Sequence, residues 1–99
     1  MTGVMSMTAV QRKLFDDILA ERARQDEKWG PDRNQMAEKW HLIVSEEVGE
    51  FADATLSEHF ERQRHELVQV AASALAALEA HERAQLDPDA FRVWMGQRA

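Results

Sequence analysis

Two acidic clusters at helical spacing hold the residues of this chain best suited to chemistry. They are Glu46-Glu47-Val48-Gly49-Glu50 and, after a break, Glu66-Leu67-Val68-Gln69. Residues three or four apart share a helix face, with Cβ atoms roughly 5–6 Å from each other, so Glu47 converges with Glu50 and Glu66 with Gln69. Both pairs fall in segments that otherwise read as buried, where an ionised carboxylate is costly without a partner. Several converging oxygen donors suit a hard divalent cation. Magnesium in particular keeps waters in its shell and shares coordination with substrate phosphates. The chemistry such a site supports is metal-assisted hydrolysis at phosphorus. Glu46, adjacent to Glu47 but projecting to one side, either orients the attacking water or helps to hold a second ion. The competing reading is a solvated acidic face, common in a chain that is 30% charged.

Other site chemistries find no support in the spacing. His41, His59, His65 and His81 make no His-Glu-x-x-His pairing with the glutamates, and the chain has no cysteine, so a zinc site is not indicated. A di-iron carboxylate bundle needs Glu-x-x-His twice. There is no glycine-rich phosphate loop and no recognisable serine–histidine arrangement.

The elements that must position these acids are helices, because every segment longer than a turn has helical rather than alternating periodicity. The first helix is expected from Thr8, a good cap, to about Lys28, with Val10, Leu14, Phe15, Ile18 and Leu19 as its apolar stripe. Trp29-Gly30-Pro31-Asp32 stops it, since glycine accepts the terminal left-handed conformation and proline cannot continue a helix. The second helix is expected from Met36 to about Ser57, with Trp40, Ile43, Val44, Val48, Phe51 and Ala54 facing inward. Glu47 falls near the middle of that stripe and Glu50 at its edge; a glutamate centred on an apolar face breaks the binary pattern, as functional sites do. The third helix, about Phe60 to His81, is apolar over most of its circumference apart from the line Glu66, Gln69 and Ser73, and should be central. Asp87-Pro88 opens a short last helix to about Met95, with proline at its first position. The fold class is therefore all-α: a bundle of three main helices and a short C-terminal helix, completed by oligomerisation. One domain spans 1–99, with its core over about 8–82 and the last helix over about 87–96.

Composition sets the outer limits. Ninety-nine residues suit one core, and a chain of that size often gains from a second copy. A net charge of −6 argues against an electrostatic nucleic-acid binder, but an acidic chain can still take a phosphorylated small molecule when metal ions supply the positive charge. The absence of cysteine fits a reducing compartment. Met1 to Met7 lacks a charged n-region and a long apolar run, and no stretch approaches a membrane span, so a cytoplasmic protein is expected.

The acidic pattern resembles a known family. Glu-Glu-x-x-Glu followed about fifteen residues later by Glu-x-x-Asp is the signature of the all-α, MazG-like nucleoside triphosphate pyrophosphohydrolases. This chain reads SEEVGE at 45–50 and RHELVQVAASALAALEA at 64–80, and its ERARQDEKWG at 21–30 is similar to the short phage and bacterial members. The resemblance covers roughly residues 18–82. It implies a magnesium-dependent enzyme, with manganese as a substitute ion, that hydrolyses an NTP or dNTP to the monophosphate and pyrophosphate as a homodimer or homotetramer. Carried over by position, it makes Glu47, Glu50 and Glu66 metal ligands, with Glu46 serving the water or a second ion. Gln69 departs from the pattern, which has aspartate there. A glutamine carbonyl can still coordinate magnesium but brings no charge. Asp53, one helical step beyond Glu50, either compensates or lies at the surface. Because of Gln69, the alternative is a helical module that binds nucleotide or metal with little or no turnover. Around the site, Trp29 and Trp40 are candidates to stack on a nucleobase or to anchor the core. Arg22, Arg24, Lys28 and Lys39 are candidates to grip a triphosphate tail, or are ordinary solvated cations.

Overall fold

A computed structural model describes residues 6–97; residues 1–5 of the N-terminal stretch weighed above lie outside it. The chain forms four helices: α1 (Ala9–Trp29), α2 (Ala37–Leu56), α3 (Phe60–Leu86) and α4 (Pro88–Met95). Local sequence sets most of their ends. Thr8 and Gln11 make a reciprocal capping box at the start of α1: Thr8 Oγ1 accepts from the Gln11 amide at 3.0 Å, and the Thr8 amide donates to Gln11 Oε1 at 2.9 Å. Gly30, at φ 90°, ends α1 ahead of Pro31. His59 Nδ1 accepts from the Arg62 amide at 3.1 Å and opens α3. Asp87 Oδ1 accepts from the Asp89 amide at 3.0 Å, and Pro88 takes the first position of α4.

Helix α3 packs against each of the other three, most extensively against α2. The connection Ser57–His59 reverses the chain, with Glu58 in the left-handed region at φ 56°. Residues equidistant in sequence from Glu58 therefore face each other across the α2–α3 seam: Trp40 meets Ala76, Glu47 is level with Gln69, and Glu50 with Glu66. At the far end, α4 folds back onto the start of α2. A Cβ at Gly96 would come within 2.8 Å of the Met36 methyl, which a turn of the methionine relieves; the φ of 70° is what favours glycine there.

The expected four-helix order holds, with two corrections. Helix α3 continues past His81 to Leu86, because Glu82-Arg83-Ala84-Gln85-Leu86 are good helix formers and Ala84 is buried. Arg83 adds a tie to the α1–α2 loop, donating to Asn34 Oδ1 at 3.0 Å and to the Arg33 carbonyl at 2.9 Å. The second correction concerns the apolar stripes. Trp40 is buried at 2% exposure among Ala76, Ala80, Ile43, Ala77 and Trp94, as a core anchor should be. Of the apolar stripe of α1, only Ile18 is half-buried; Val10, Leu14, Phe15 and Leu19 stay exposed, as do Val48, Leu67 and Leu78 on α2 and α3. Six of the seven buried apolar residues are alanines. The result is a slab of 46 × 45 × 22 Å with a radius of gyration of 15.8 Å, against about 13 Å for a compact domain of this length.

Helix α1 is pinned to α3 by a charge rather than by its stripe. Arg22 is the one buried residue of α1; its guanidinium pairs with both oxygens of Glu79 and lies 3.0 Å from Asp26. The Glu79 carboxylate, first among the causes, holds Arg22 above its ordinary pKa against the opposing effect of burial. Arg22 is thus a structural cross-link and not a ligand for a phosphate tail. Among the described residues, no helix is long and apolar enough to cross a membrane.

Candidate functional site

A cavity of about 670 Å³ opens where α1, the α1–α2 loop, α2 and α3 meet. That is ample for a small ligand, since such sites commonly measure about 300–1,000 Å³. One end is acidic, with Glu46 and Glu47 from α2 and Glu21 from α1. The other is cationic and aromatic, with Lys28, Trp29, Arg33 and Lys39; Gln69 and Ser73 of α3 form the wall facing α2.

Of the residues singled out from the sequence, Glu46, Glu47, Gln69, Arg24, Lys28, Lys39 and Trp29 come together here. Glu47 is the one acid whose pKa is raised. Burial, followed by the charges of Glu66, Glu46, Glu50 and Glu21, holds its carboxyl above the ordinary glutamate range. That set of neighbours follows from the fold: Glu66 comes across the α2–α3 seam, Glu46 and Glu50 along α2, and Glu21 from α1. Excess negative charge at a half-buried carboxylate is what a bound cation relieves, and the all-oxygen donor set is that of a hard ion. The donor types suit a divalent cation, but among the described residues the side chains do not stand gathered around one position.

The remaining acids lie outside the cavity wall. Glu50 is level with Glu66 but bonds to Arg62, whose Nη2 donates to Glu50 Oε2 at 3.1 Å and reaches Asp53 Oδ2 at 3.4 Å. Glu66 is half-buried on α3, and Asp53 is exposed beside Arg62. Among the described residues, no three acidic or histidine side chains stand as a ready-made metal cage. Arg24 pairs with Glu21 within α1, so it meets the cavity already neutralised.

The sequence reading passed over two residues of the α1–α2 loop, Arg33 and Gln35. The Arg33 guanidinium lies 4.9 Å above the Trp40 ring and 5.7 Å from that of Trp29. Burial, and then the charge of Arg22, lower its pKa. Gln35 lines the cavity with its Nε2 shut off from solvent and unbonded. A polar loop immediately after a Trp-Gly-Pro turn was the available signal, since a short connection between two site-bearing helices has to cross the mouth of the site. Lys28, Arg33 and Lys39 take part in none of the ion pairs among the described residues. Lys28 Nζ sits instead 4.8 Å over the Trp29 ring.

No protein-family model matches the chain, and neither a curated protein nor a solved structure matches it.

Proposed function

We propose that the protein hydrolyses a nucleoside or deoxynucleoside triphosphate to the monophosphate and pyrophosphate, as the sequence resemblance implies. The observation that carries this reading is the two-ended cavity. Glu47, its carboxyl raised by burial and four acidic neighbours, stands across one space from three cations that have no ion-pair partner among the described residues and an exposed tryptophan. A ligand that suits both ends has a flat apolar ring, a chain of anionic groups and an accompanying cation. Glu47, with Glu50, Glu66 and the Gln69 carbonyl, would hold magnesium or manganese, which supplies charge neutralisation on the phosphates when bound. Lys28, Lys39 and Arg33 bind phosphate oxygens and orient the chain. Glu46 accepts the proton of a water that attacks the α-phosphorus; the bond from that phosphorus to the bridging oxygen breaks, and pyrophosphate leaves with the electron pair. With no cysteine, the protein suits the cytoplasm.

Two copies complete the molecule in this reading. The chain exposes 7533 Å², against about 5,800 Å² for a compact monomer of its 11.4 kDa. Half of the roughly 1,700 Å² difference already equals the about 800 Å² that each partner gives to a standard interface. The exposed α1 stripe is the natural surface for it.

The assay is release of pyrophosphate from the common ribo- and deoxyribonucleoside triphosphates in magnesium or manganese, with Glu47→Gln as control. Release from at least one, lost in the variant, is expected; no release from any of them rejects catalysis. A second reading, nucleotide binding without turnover, is favoured by one arrangement: Arg62 occupies Glu50, and Gln69 adds no charge to make up for it. Binding by calorimetry with no product selects that reading.

A further inference from the structure

The loop between α1 and α2 holds an amide that the fold leaves unmatched. Gln35 lies half-buried in the cavity wall, its Nε2 closed to solvent and without an acceptor. A buried donor left unbonded is costly, and because Nε2 is closed to the open cavity, a turn of the Gln35 side chain is what brings it to a partner arriving there. In the same wall the Trp29 ring is 57% exposed. Lys28 and Arg33 lie over that ring at 4.8 and 5.7 Å, so a flat ligand with a polar edge takes the place of one of them against Trp29. A phosphate would go first to Lys28, Arg33 and Lys39, which hold charge that a neutral amide lacks.

We infer that Gln35 is the specificity-determining residue of this pocket, reading the hydrogen-bonding edge of a nucleobase laid against Trp29; the inference rests on the nucleotide reading above. The carboxamide offers one donor side and one acceptor side, so it pairs with a base edge that presents an acceptor next to an N–H. Nε2 donates to the base carbonyl or ring nitrogen, and Oε1 accepts from the adjacent amino or imino group. With the base at this end, the phosphates run past Lys28 and Lys39 towards Glu46 and Glu47.

The experiment measures binding of the four common dNTPs by calorimetry in calcium, and pyrophosphate release from the same four in magnesium. The proteins are wild type, Gln35→Leu, Gln35→Glu and Trp29→Ala. Wild type should discriminate between its best and worst base by roughly five- to 150-fold, the range for one bidentate pair. Gln35→Leu should bring that ratio to within about twofold by lowering affinity and kcat/KM for the preferred base towards those of the others, because a base-edge contact is lost. Gln35→Glu, of the same shape but accepting only, should reorder the bases, and Trp29→Ala should weaken all four alike. Removing an unbonded buried amide should leave the melting temperature of Gln35→Leu at or above that of wild type, which separates a reading role from a structural one. An unchanged ratio in Gln35→Leu, or a wild type that does not discriminate, overturns the inference while leaving hydrolysis standing. Gln35-dependent discrimination in calcium with no pyrophosphate released in magnesium does the reverse, and no binding of any nucleotide ends both.

Discussion

Arg62 competes with any cation for Glu50, and the size of that competition can be worked out. Its Nη2 lies 3.1 Å from Glu50 and 3.4 Å from Asp53, with the Arg62, Glu50 and Asp53 side chains 33%, 52% and 72% exposed. A pair this open to water contributes about 0.2–1 kcal/mol. A divalent cation arriving beside Glu50 also meets the guanidinium charge, which at about 7 Å in water-like dielectric adds roughly 1.2 kcal/mol of repulsion. Arg62→Ala should therefore tighten manganese or magnesium binding by about 1.5–2 kcal/mol, roughly ten- to thirtyfold. Arg62→Lys, which keeps the charge but loses the fork, should fall between the two. Calorimetric titration reads the effect, and added salt should shrink it, since both contributions are screened. The gain should vanish when Glu50→Gln is placed in the Arg62→Ala background. If Arg62→Ala binds the ion no better than wild type, Glu50 is not among its ligands and the metal set shrinks to Glu47, Glu66 and the Gln69 carbonyl.

Four further outcomes follow from particular residues. Glu47 has a raised pKa, so its ionised form opposes folding: the penalty is absent below the ordinary glutamate value of 4.5 and complete once pH exceeds the raised one. In the absence of metal, Glu47→Gln should thus melt above wild type at pH 8 and level with it at pH 4, while losing stabilisation by magnesium; a gain equal at both values would contradict the cause assigned. Glu79→Ala leaves Arg22 with only Asp26 and Gln25, and should cost about 1.5–3 kcal/mol by chemical denaturation. Arg22→Met with Glu79→Leu should recover most of that loss; no recovery would mean that packing, not charge, sets the cost. Phe15→Glu with Leu19→Glu should convert a sedimenting dimer into monomer, and a wild type already monomeric at micromolar concentration removes the need for an interface. Gln69→Asp, which restores the acidic position level with Glu47, should tighten magnesium binding and raise turnover; slower turnover would show that the amide is the working group.

What could be read from the sequence was what short-range chemistry decides. Thr8 with Gln11, Gly30 with Pro31, and Asp87 with Pro88 each carry their own reason to start or stop a helix, and the structure places helix ends at all of them. The level pairing of Glu47 with Gln69 and Glu50 with Glu66 was also accessible, because it depends only on a tight reversal near Glu58. Pairings between distant positions were not. Arg22 meets Glu79 across 57 residues and Arg62 meets Glu50 across 12; neither pair has a periodic signature. The α1 stripe misled for a different reason. Apolar spacing on a helix says that a face wants cover, but it does not say whether the cover comes from the same chain.

The unmet demands of this fold fall mostly at one cavity. Gln35 Nε2 and Trp40 Nε1 are the buried side-chain polar atoms without partners among the described residues. Gln35 lines the cavity, whereas Trp40 lies in the core against Ala76 and Ala80, with Arg33 over its ring. Glu47, the one acid with a raised pKa, stands on the same helix as Trp40 and lines the same cavity as Gln35. A chain with an alanine-rich core has little stability to spare, so keeping an unbonded amide and a charge-crowded carboxylate in one cavity wall is costly. Were these features incidental, mutation would remove each cheaply: leucine for Gln35, glutamine for Glu47. Their concentration around one two-ended cavity is better explained by a ligand that meets both at once, with the exposed α1 face buried against a second copy to offset the cost. Magnesium together with a nucleotide should then raise the melting temperature by more than the sum of their separate effects, since each neutralises charge that opposes the other. Strict additivity would mean that the acidic and cationic ends serve unrelated ligands.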